Sequence, residues 1–300
     1  SKRVRDEYVY REKYFSIDWN NIYQQDILSL DIKLGNNCNL ACRICRPELS
    51  SSIYHEIKKH LEMFDNDPVA GKSEWISETD SYFWTKFQEL VKHVTHMEFT
   101  GGEPLLDKKH HKILQQFIDV GVADNVTIHY NTNGTVFPQE KLFSLYNNFK
   151  SVGFSFSLDD IEQRFDYHRY GSKWSKVLDN LEKYKKLDKN KFVINIYAVV
   201  SVFNIYNLDE LIFFAQHNEL NIETGLVDGP SEFCIDNIPL ENRQEIIKKL
   251  ESVNNEYFQQ KAKFYINRLK KNIYTDCNNE FWKNVNRLDS IRNQSFKELY

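Results

Sequence analysis

Three cysteines within eight positions are the residues of this sequence best suited to chemistry. Cys38, Cys42 and Cys45 lie in a loop with Gly35 and two asparagines, which suit a bend around one inorganic centre. A cubane held entirely by protein needs four cysteines, so three leave one iron without a protein ligand. An open coordination position distinguishes a reactive metal centre from a structural one. The spacing therefore predicts a metal site that can bind a further ligand.

A structural zinc site is the alternative that the spacing leaves open. Zinc accepts closely spaced thiolates together with a histidine, and His55 could be the fourth ligand. Such zinc sites usually contain two C-x₂-C-like pairs, and this sequence has no second pair. The other two cysteines, Cys234 and Cys277, are far apart in the sequence. Both a cluster and a zinc ion stay open on the cysteines alone.

Polar residues and glycines follow the later predicted strands. Gly101 and Gly102 would let the backbone approach a ligand closely, and Glu103 offers a carboxylate to an ammonium group. Alternating polar residues along and after the fourth strand would face one side and need partners. They are Ser155, Ser157 and Asp159.

The motif C-x₃-C-x₂-C, with Gly-Gly-Glu-Pro one βα unit later, resembles the radical S-adenosylmethionine (SAM) superfamily. The resemblance runs from about Leu28 to Pro239. It implies that Cys38, Cys42 and Cys45 ligate a [4Fe–4S] cluster whose open iron binds the methionine part of SAM. Reductive cleavage of SAM would then give a 5′-deoxyadenosyl radical, which abstracts a hydrogen atom from a substrate.

The same resemblance implies which residues bind SAM. Glu103, with Gly101 and Gly102, would bind the methionine amino group, and Arg169 would pair with the methionine carboxylate. Ile44 stands where the family commonly has an aromatic residue, and it offers adenine an apolar surface. The remaining SAM contacts implied by the resemblance are Asn131, Asn133, Ser155, Ser157, Asp159, Asn204 and Leu226.

The resemblance does not identify the substrate, for which a small molecule, a nucleotide or a peptide is expected. It implies a reductant such as flavodoxin or ferredoxin. The segments Arg164–Trp174 and Phe281–Arg292 resemble the SPASM/twitch branch, which gives a second hypothesis, a ribosomal-peptide-modifying enzyme. This sequence lacks the further cysteines that hold auxiliary clusters in that branch. A third hypothesis is a zinc- or cluster-stabilised binding protein without SAM turnover.

Cys234 is the candidate catalytic residue outside the cofactor motifs. It follows the last predicted strand, on a loop expected at the mouth of a barrel, where loops carry chemistry. Its thiol could donate a hydrogen atom to a substrate radical. Alternatively, it packs as a small hydrophobic residue, as most free cysteines do.

The elements that position these residues alternate between strand and helix. The predicted strands are Leu28–Leu34, His96–Thr100, Val126–Tyr130, Val152–Leu158, Phe192–Val200 and Ile222–Leu226. The predicted helices are Ser51–Phe64, Tyr82–Val94, Lys108–Val120, Gln139–Tyr146, Trp174–Leu187 and Leu208–His217, and the tail is helical over Leu240–Leu269 and Asn279–Leu299. This order predicts an α/β fold, a partial (β/α)₆ TIM-like barrel of parallel strands with a helical C-terminal extension. The predicted domains are an extension over 1–27, the barrel over 28–239 and the helical extension over 240–300, packed on the barrel.

Composition limits the classes of partner and compartment. The chain is 41% hydrophobic and 14% aromatic, which argues against disorder. Its formal charge of −4 provides no overall basic field, so no nucleic acid or membrane partner is expected. No apolar run is long enough to span a bilayer, and the first residues are too charged for a signal peptide. Clustered cysteines in such a chain indicate the reducing cytoplasm.

Overall fold

A six-stranded parallel sheet forms the centre of the fold. The computed structural model describes residues 27–64, 79–271 and 273–300. The strands follow each other in the sheet in sequence order, and the sheet does not close into a barrel. They are β1 Ser29–Lys33, β2 His96–Thr100, β3 Thr127–Thr132, β4 Ser151–Ser157, β5 Phe192–Val200 and β6 Asn221–Leu226. The predicted α/β class, with strands as in a partial TIM-like barrel, is confirmed.

Helices connect the strands and extend the chain beyond β6. The connecting helices are α1 Ser51–Lys59, α2 Ser81–Leu90, α3 Lys109–Val120, α4 Glu140–Tyr146, α5 Glu162–His168, α6 Trp174–Lys185 and α7 Leu208–His217. The C-terminal extension contains α8 Leu240–Ser252, α9 Glu256–Leu269 and α10 Asn278–Arg292. Over the described residues, none of the helices is both long and apolar enough to cross a membrane.

Most predicted boundaries agree with the structure to within one or two residues, and those of β2, β5 and α7 agree fully. Two predicted helix ends are wrong, because α2 ends at Leu90 rather than Val94 and α10 ends at Arg292 rather than Leu299. The predicted helix over Ser51–Phe64 is wrong at its end, because α1 ends at Lys59 and a 3₁₀ turn covers Leu61–Phe64. The predicted helical stretch Leu240–Leu269 is two helices. Asn255 separates them, since its side chain accepts a hydrogen bond from Phe258 N and so caps α9.

Helix α5 was not predicted. It has only seven residues and lies in a connection between β4 and α6 that already contains a longer helix. The predicted division into three domains stays a prediction, and the extension over 1–27 lies outside the described residues except for Ile27.

The two faces of the sheet differ in chemistry. Side chains alternate along each strand, so Phe99, Tyr130 and Phe154 share one face, which is fully buried against helices. The residues between them make the other face, termed the polar face. It includes Glu98, His129, Asn131, Ser155, Ser157 and Tyr197. An ordinary barrel interior is packed with branched apolar residues, so this face differs from a dry barrel core.

Candidate functional site

The cysteine loop between β1 and α1 is held by the serines at the start of α1. Ser51 Oγ accepts a hydrogen bond from Cys38 N at 3.1 Å, and Ser52 Oγ donates to Cys38 O at 2.8 Å. Ser50 Oγ donates to Leu40 O at 2.6 Å and also caps the helix. Serine hydroxyls bond local backbone groups readily, so the chain fixes the loop with residues adjacent to it in sequence.

The three cysteines of this loop form no disulfide and are half-buried. Burial raises the pKa of the Cys45 thiol to about 11 and that of Cys42 to about 12, whereas the charge of Arg169 lowers both. Thiolates bind metals, so a positive iron centre would have to offset the cost of this desolvation. His55 is exposed on α1. Among the residues that the structure describes, no three His, Cys, Asp or Glu side chains stand close enough together to hold a single metal ion.

Two glycines bring the loop after β2 against the cysteine loop. Glu103 N donates to Asn37 O at 2.8 Å. Gly102 has a φ of +52°, and a Cβ there would lie 2.3 Å from Asn37 O. Close approach to a ligand was the predicted reason for Gly101 and Gly102. In the structure the approach is between two stretches of backbone, and it places Glu103 beside the cysteine loop.

Glu103 joins the loops that follow β2 and β3. Its carboxylate is 1% exposed and accepts hydrogen bonds from Thr132 Oγ1 at 2.9 Å, Asn133 N at 2.6 Å and Leu105 N at 3.2 Å. Burial raises its pKa to about 7, while these donors act in the opposite direction. A carboxylate can accept about four hydrogen bonds, so one acceptor position is left for a ligand.

Arg169 and Asp159 form a buried ion pair beside the thiols. Arg169 Nη2 lies 2.8 Å from Asp159 Oδ2, and Asp159 Oδ1 accepts from Val199 N at 3.0 Å. Arg169 Nη1 lies 3.9 Å from Cys42 Sγ. The Nε of Arg169 is buried and has no hydrogen-bond partner among the described residues. A buried guanidinium with an unsatisfied edge is a suitable partner for an anion.

Asn131, near the end of β3, and Asn133, just after it, contact different neighbours. Asn131 Nδ2 donates to Glu98 Oε1 at 2.7 Å on the polar face. Asn133 Nδ2 donates to Asn39 Oδ1 at 2.9 Å and lies 3.9 Å from Cys38 Sγ. The structure thus places the Asn133 side chain against the cysteine loop, whereas the Asn131 side chain contacts Glu98 on the polar face.

Comparison with known proteins identifies the family. Residues 32–215 match the Radical SAM superfamily. The chain belongs to this superfamily. GTP 3′,8-cyclase of Syntrophomonas wolfei is 25% identical over 198 residues, which are 65% of this chain and 52% of that protein. The chain therefore spans about half the length of this curated relative.

Solved structures of anSMEcpe share the fold. With bound AdoMet, one of them has a TM-score of 0.53 at 19% identity, covering 75% of this chain and 57% of that chain. Another, with bound AdoMet and Cp18Cys peptide, has a TM-score of 0.51 at 18% identity. This match covers 74% of this chain and 58% of that chain. Family membership places the chain among the radical SAM enzymes and implies SAM and a [4Fe–4S] cluster as its cofactors.

The residues present in this radical SAM chain fit both cofactors. Three thiols leave one iron of a cubane open. Glu103 retains an acceptor position for an ammonium group, and Arg169 Nε is a buried donor that no described residue satisfies. These two groups suit the two charged ends of an amino acid such as the methionine part of SAM.

The serines of β4 lie on the polar face, as their alternation predicts. Ser155 is bonded to His129, whose Nε2 lies 2.9 Å from Ser155 Oγ. Ser157 is half-buried at the end of the strand, beside Tyr197 in the register. Protein groups therefore already satisfy Ser155, and Asp159 is paired with Arg169, so Ser157 is the better placed of the three for a ribose hydroxyl.

Asn204, Leu226 and Ile44, the remaining residues expected to contact SAM, lie in different environments. The Asn204 amide donates to Asp159 O at 2.8 Å and Val199 O at 2.9 Å and accepts from Ser201 N at 2.8 Å, so it braces two loops. Leu226 is half-buried against the main core. Ile44 packs at the edge of a second apolar cluster, which contains Tyr167, Phe203, Val227, Phe233, Phe281 and Val285.

Cys234 belongs to that second apolar cluster. Its Sγ lies 3.3 Å from Val227 O and 3.6 Å from Pro230 O, and burial raises the pKa of the thiol. These contacts tie the sulfur to its own loop.

Arg43 is a functional candidate that the sequence analysis missed. It is 3% exposed, and its Nε donates to Tyr167 O at 3.1 Å while its guanidinium lies 3.5 Å from the centre of the Tyr167 ring. Its Nη2 lies 2.5 Å from Asp289 of α10. The cysteine loop is thereby anchored to the C-terminal helix. The position of an arginine between two cysteines is the signal that was available, but its partner is 246 residues away.

Proposed function

We propose that Cys38, Cys42 and Cys45 hold the [4Fe–4S] cluster and that this chain cleaves SAM reductively. When bound, the cluster would supply the one electron that breaks a carbon–sulfur bond of SAM, giving methionine and a 5′-deoxyadenosyl radical, which would abstract a hydrogen atom from the substrate. The observation that carries the proposal is the position of the three half-buried thiols, in one loop against Glu103 and Arg169.

In this proposal the protein orients SAM through its charged ends. Glu103 accepts a hydrogen bond from the ammonium group at its remaining acceptor position. Arg169 donates to the carboxylate from its Nε edge, because Asp159 already holds its Nη2. Ser157 and Ile44 are proposed to contact the ribose and the adenine. Fixing SAM at both ends would align the bond that breaks, and thereby avoid a diffusive encounter.

Glu103→Gln should weaken SAM binding by about 10- to 150-fold, because a hydrogen bond to a charged group contributes about 1.5–3 kcal/mol. The NH₂ group of the glutamine would also face Asn133 N–H or the ammonium group, and two donors cannot hydrogen-bond to each other. Anaerobic titration calorimetry of the cluster-loaded protein measures the affinity.

The matched control for this change is Glu182→Gln, at an exposed partner of Lys185 in α6, which should leave SAM affinity unchanged. Iron and sulfide content should be the same in both variants and in the wild type. Equal SAM affinity of Glu103→Gln and the wild type would remove Glu103 from the binding site.

The substrate is proposed to bind along the polar face. Hydrogen-bonding groups such as Asn131, Ser157 and Tyr197 suit a polar molecule better than an apolar one. A nucleotide is one candidate, since the curated relative is named for GTP. A peptide is the other, since one similar structure contains a peptide. The reductant is proposed to be a flavodoxin or a ferredoxin.

Anaerobic reconstitution tests the function directly. A brown protein that releases 5′-deoxyadenosine from SAM and dithionite would support the proposal. A colourless protein with one zinc per chain and no SAM turnover would contradict it and support the zinc-stabilised binding protein instead. Adding GTP or a peptide then identifies the substrate class, because the correct substrate should consume the radical and give a new product.

For Cys234 we propose a packing role, because both contacts of its sulfur are to its own loop. Cys234→Ser should therefore give product at the wild-type rate once a substrate is known. If the thiol is instead a hydrogen-atom donor, 5′-deoxyadenosine should still form while the normal product disappears.

A further inference from the structure

Two side-chain N–H donors face the thiols of the cysteine loop. Asn133 Nδ2 lies 3.9 Å from Cys38 Sγ, and Arg169 Nη1 lies 3.9 Å from Cys42 Sγ. Both donors are buried, Asn133 at 6% and Arg169 at 8% exposure. They belong to different loops, after β3 and after α5, so the fold directs two separate donors at two sulfurs.

The orientation of the Asn133 amide is set by its neighbours. Its Oδ1 accepts hydrogen bonds from Thr135 N at 3.0 Å and from Thr135 Oγ1 at 2.6 Å. Its backbone N–H donates to Glu103. Because Thr135 holds the oxygen, the NH₂ group must point toward Cys38 and Asn39.

The Arg169 guanidinium is held in the same manner. Its Nη2 is paired with Asp159, which is 1% exposed and is fixed by Val199 N–H. The guanidinium is planar, so fixing one edge also fixes the direction of Nη1 toward Cys42. Its charge acts on Cys38, Cys42 and Cys45 alike.

We propose that Asn133 and Arg169 are positioning residues that raise the reduction potential of the cluster through N–H···S contacts to Cys38 and Cys42. The cluster accepts one electron from the reductant, and its negative charge increases while no bond forms or breaks. A donor or a positive charge at the sulfurs stabilises this reduced form more than the oxidised form. The inference rests on the proposed function, since it needs these cysteines to be the ligands.

The test is a redox titration without SAM, followed by electron paramagnetic resonance of the reduced cluster. In Asn133→Ala the ratio of oxidised to reduced cluster, at the wild-type midpoint, should rise about tenfold, which corresponds to a midpoint about 59 mV lower. Arg169→Gln should lower the midpoint further, because this change removes a positive charge as well as the N–H donor directed at Cys42. Arg169→Lys retains the charge and should recover part of the shift.

The control is Asn180→Ala. Asn180 of α6 is buried, as Asn133 is. Its side chain donates a hydrogen bond to Gly134 O, which is next to Asn133 in the chain, and not to a sulfur. It should lose stability and keep the wild-type midpoint. Unchanged midpoints in both Asn133→Ala and Arg169→Gln, or an equal shift in Asn180→Ala, would overturn the inference.

The wild-type protein offers a measurement that needs no variant. Exchange into D₂O converts N–H···S contacts to N–D···S contacts, so the Fe–S stretching bands in resonance Raman should shift. No shift in the wild type would overturn the inference even if the variants fail to bind a cluster. A wild-type protein without any cluster would instead contradict the proposed function, so the two failures can be told apart.

Discussion

Alanine at Cys38, Cys42 or Cys45 should give a folded protein that has lost its cluster. Each change removes one of three ligands, and two thiols cannot hold a cubane that already has one open iron. The fold should survive, because the loop is held by the serines of α1 and these stay in place. Iron and sulfide analysis and the broad visible absorption measure the loss, and circular dichroism checks the fold.

The control for these variants is Cys277→Ala. Cys277 lies just before α10. Its backbone N–H donates a hydrogen bond to Asn237 Oδ1, and alanine retains this donor. This variant should keep the wild-type iron and sulfide. A full cluster in any of the three loop variants would refute the proposed ligand set.

Asp289→Ala should lower the free energy of unfolding by about 3–5 kcal/mol, the usual cost of leaving a buried charge without its partner. Asp289 accepts hydrogen bonds from Arg43 Nη2 at 2.5 Å, Tyr167 Oη at 3.0 Å and Phe296 N at 2.8 Å. The side chain of Arg43 is 1% exposed and that of Asp289 is 14% exposed, so the charge that loses its partner is almost entirely removed from water. Anaerobic urea unfolding followed by circular dichroism measures the change.

An exposed ion pair provides the comparison. Glu89→Ala breaks a pair with Lys86 in which both side chains are more than half exposed, and such pairs contribute about 0–1 kcal/mol. If Asp289→Ala costs no more than Glu89→Ala, then α10 is not anchored through Arg43.

Local patterns were sufficient for the elements of the sheet. β2 and β5 were predicted at their observed bounds because a glycine pair follows β2 and because β5 is a run of mostly apolar and aromatic residues. α5 was missed because seven residues carry too little periodicity to identify a helix, although its end bears Arg169. The end of α1 and the break before α9 were also missed, since a sequence pattern predicts the ends of a helix less well than its presence.

The cysteines and Glu103 were found from the sequence because their motifs are contiguous, and contiguous residues share a loop whatever the rest of the chain does. The contacts of those residues could not be predicted from the sequence. The backbone of Gly102 lies against Asn37, a contact that the sequence analysis did not predict. The hydrogen bonds of the Asn204 amide to three backbone groups were likewise not predicted, and its contact with SAM stays a prediction.

The sequence by itself determined the superfamily motifs, the parallel α/β sheet and the loop that carries three cysteines, because each depends on residues close together in the chain. Only the tertiary structure decided that Arg43 is paired with Asp289 and that Asn133 and Arg169 face two of the thiols. These contacts join segments separated by 95 to 246 residues. Their geometry depends on how the strands align and where the last helix packs, which no local pattern contains.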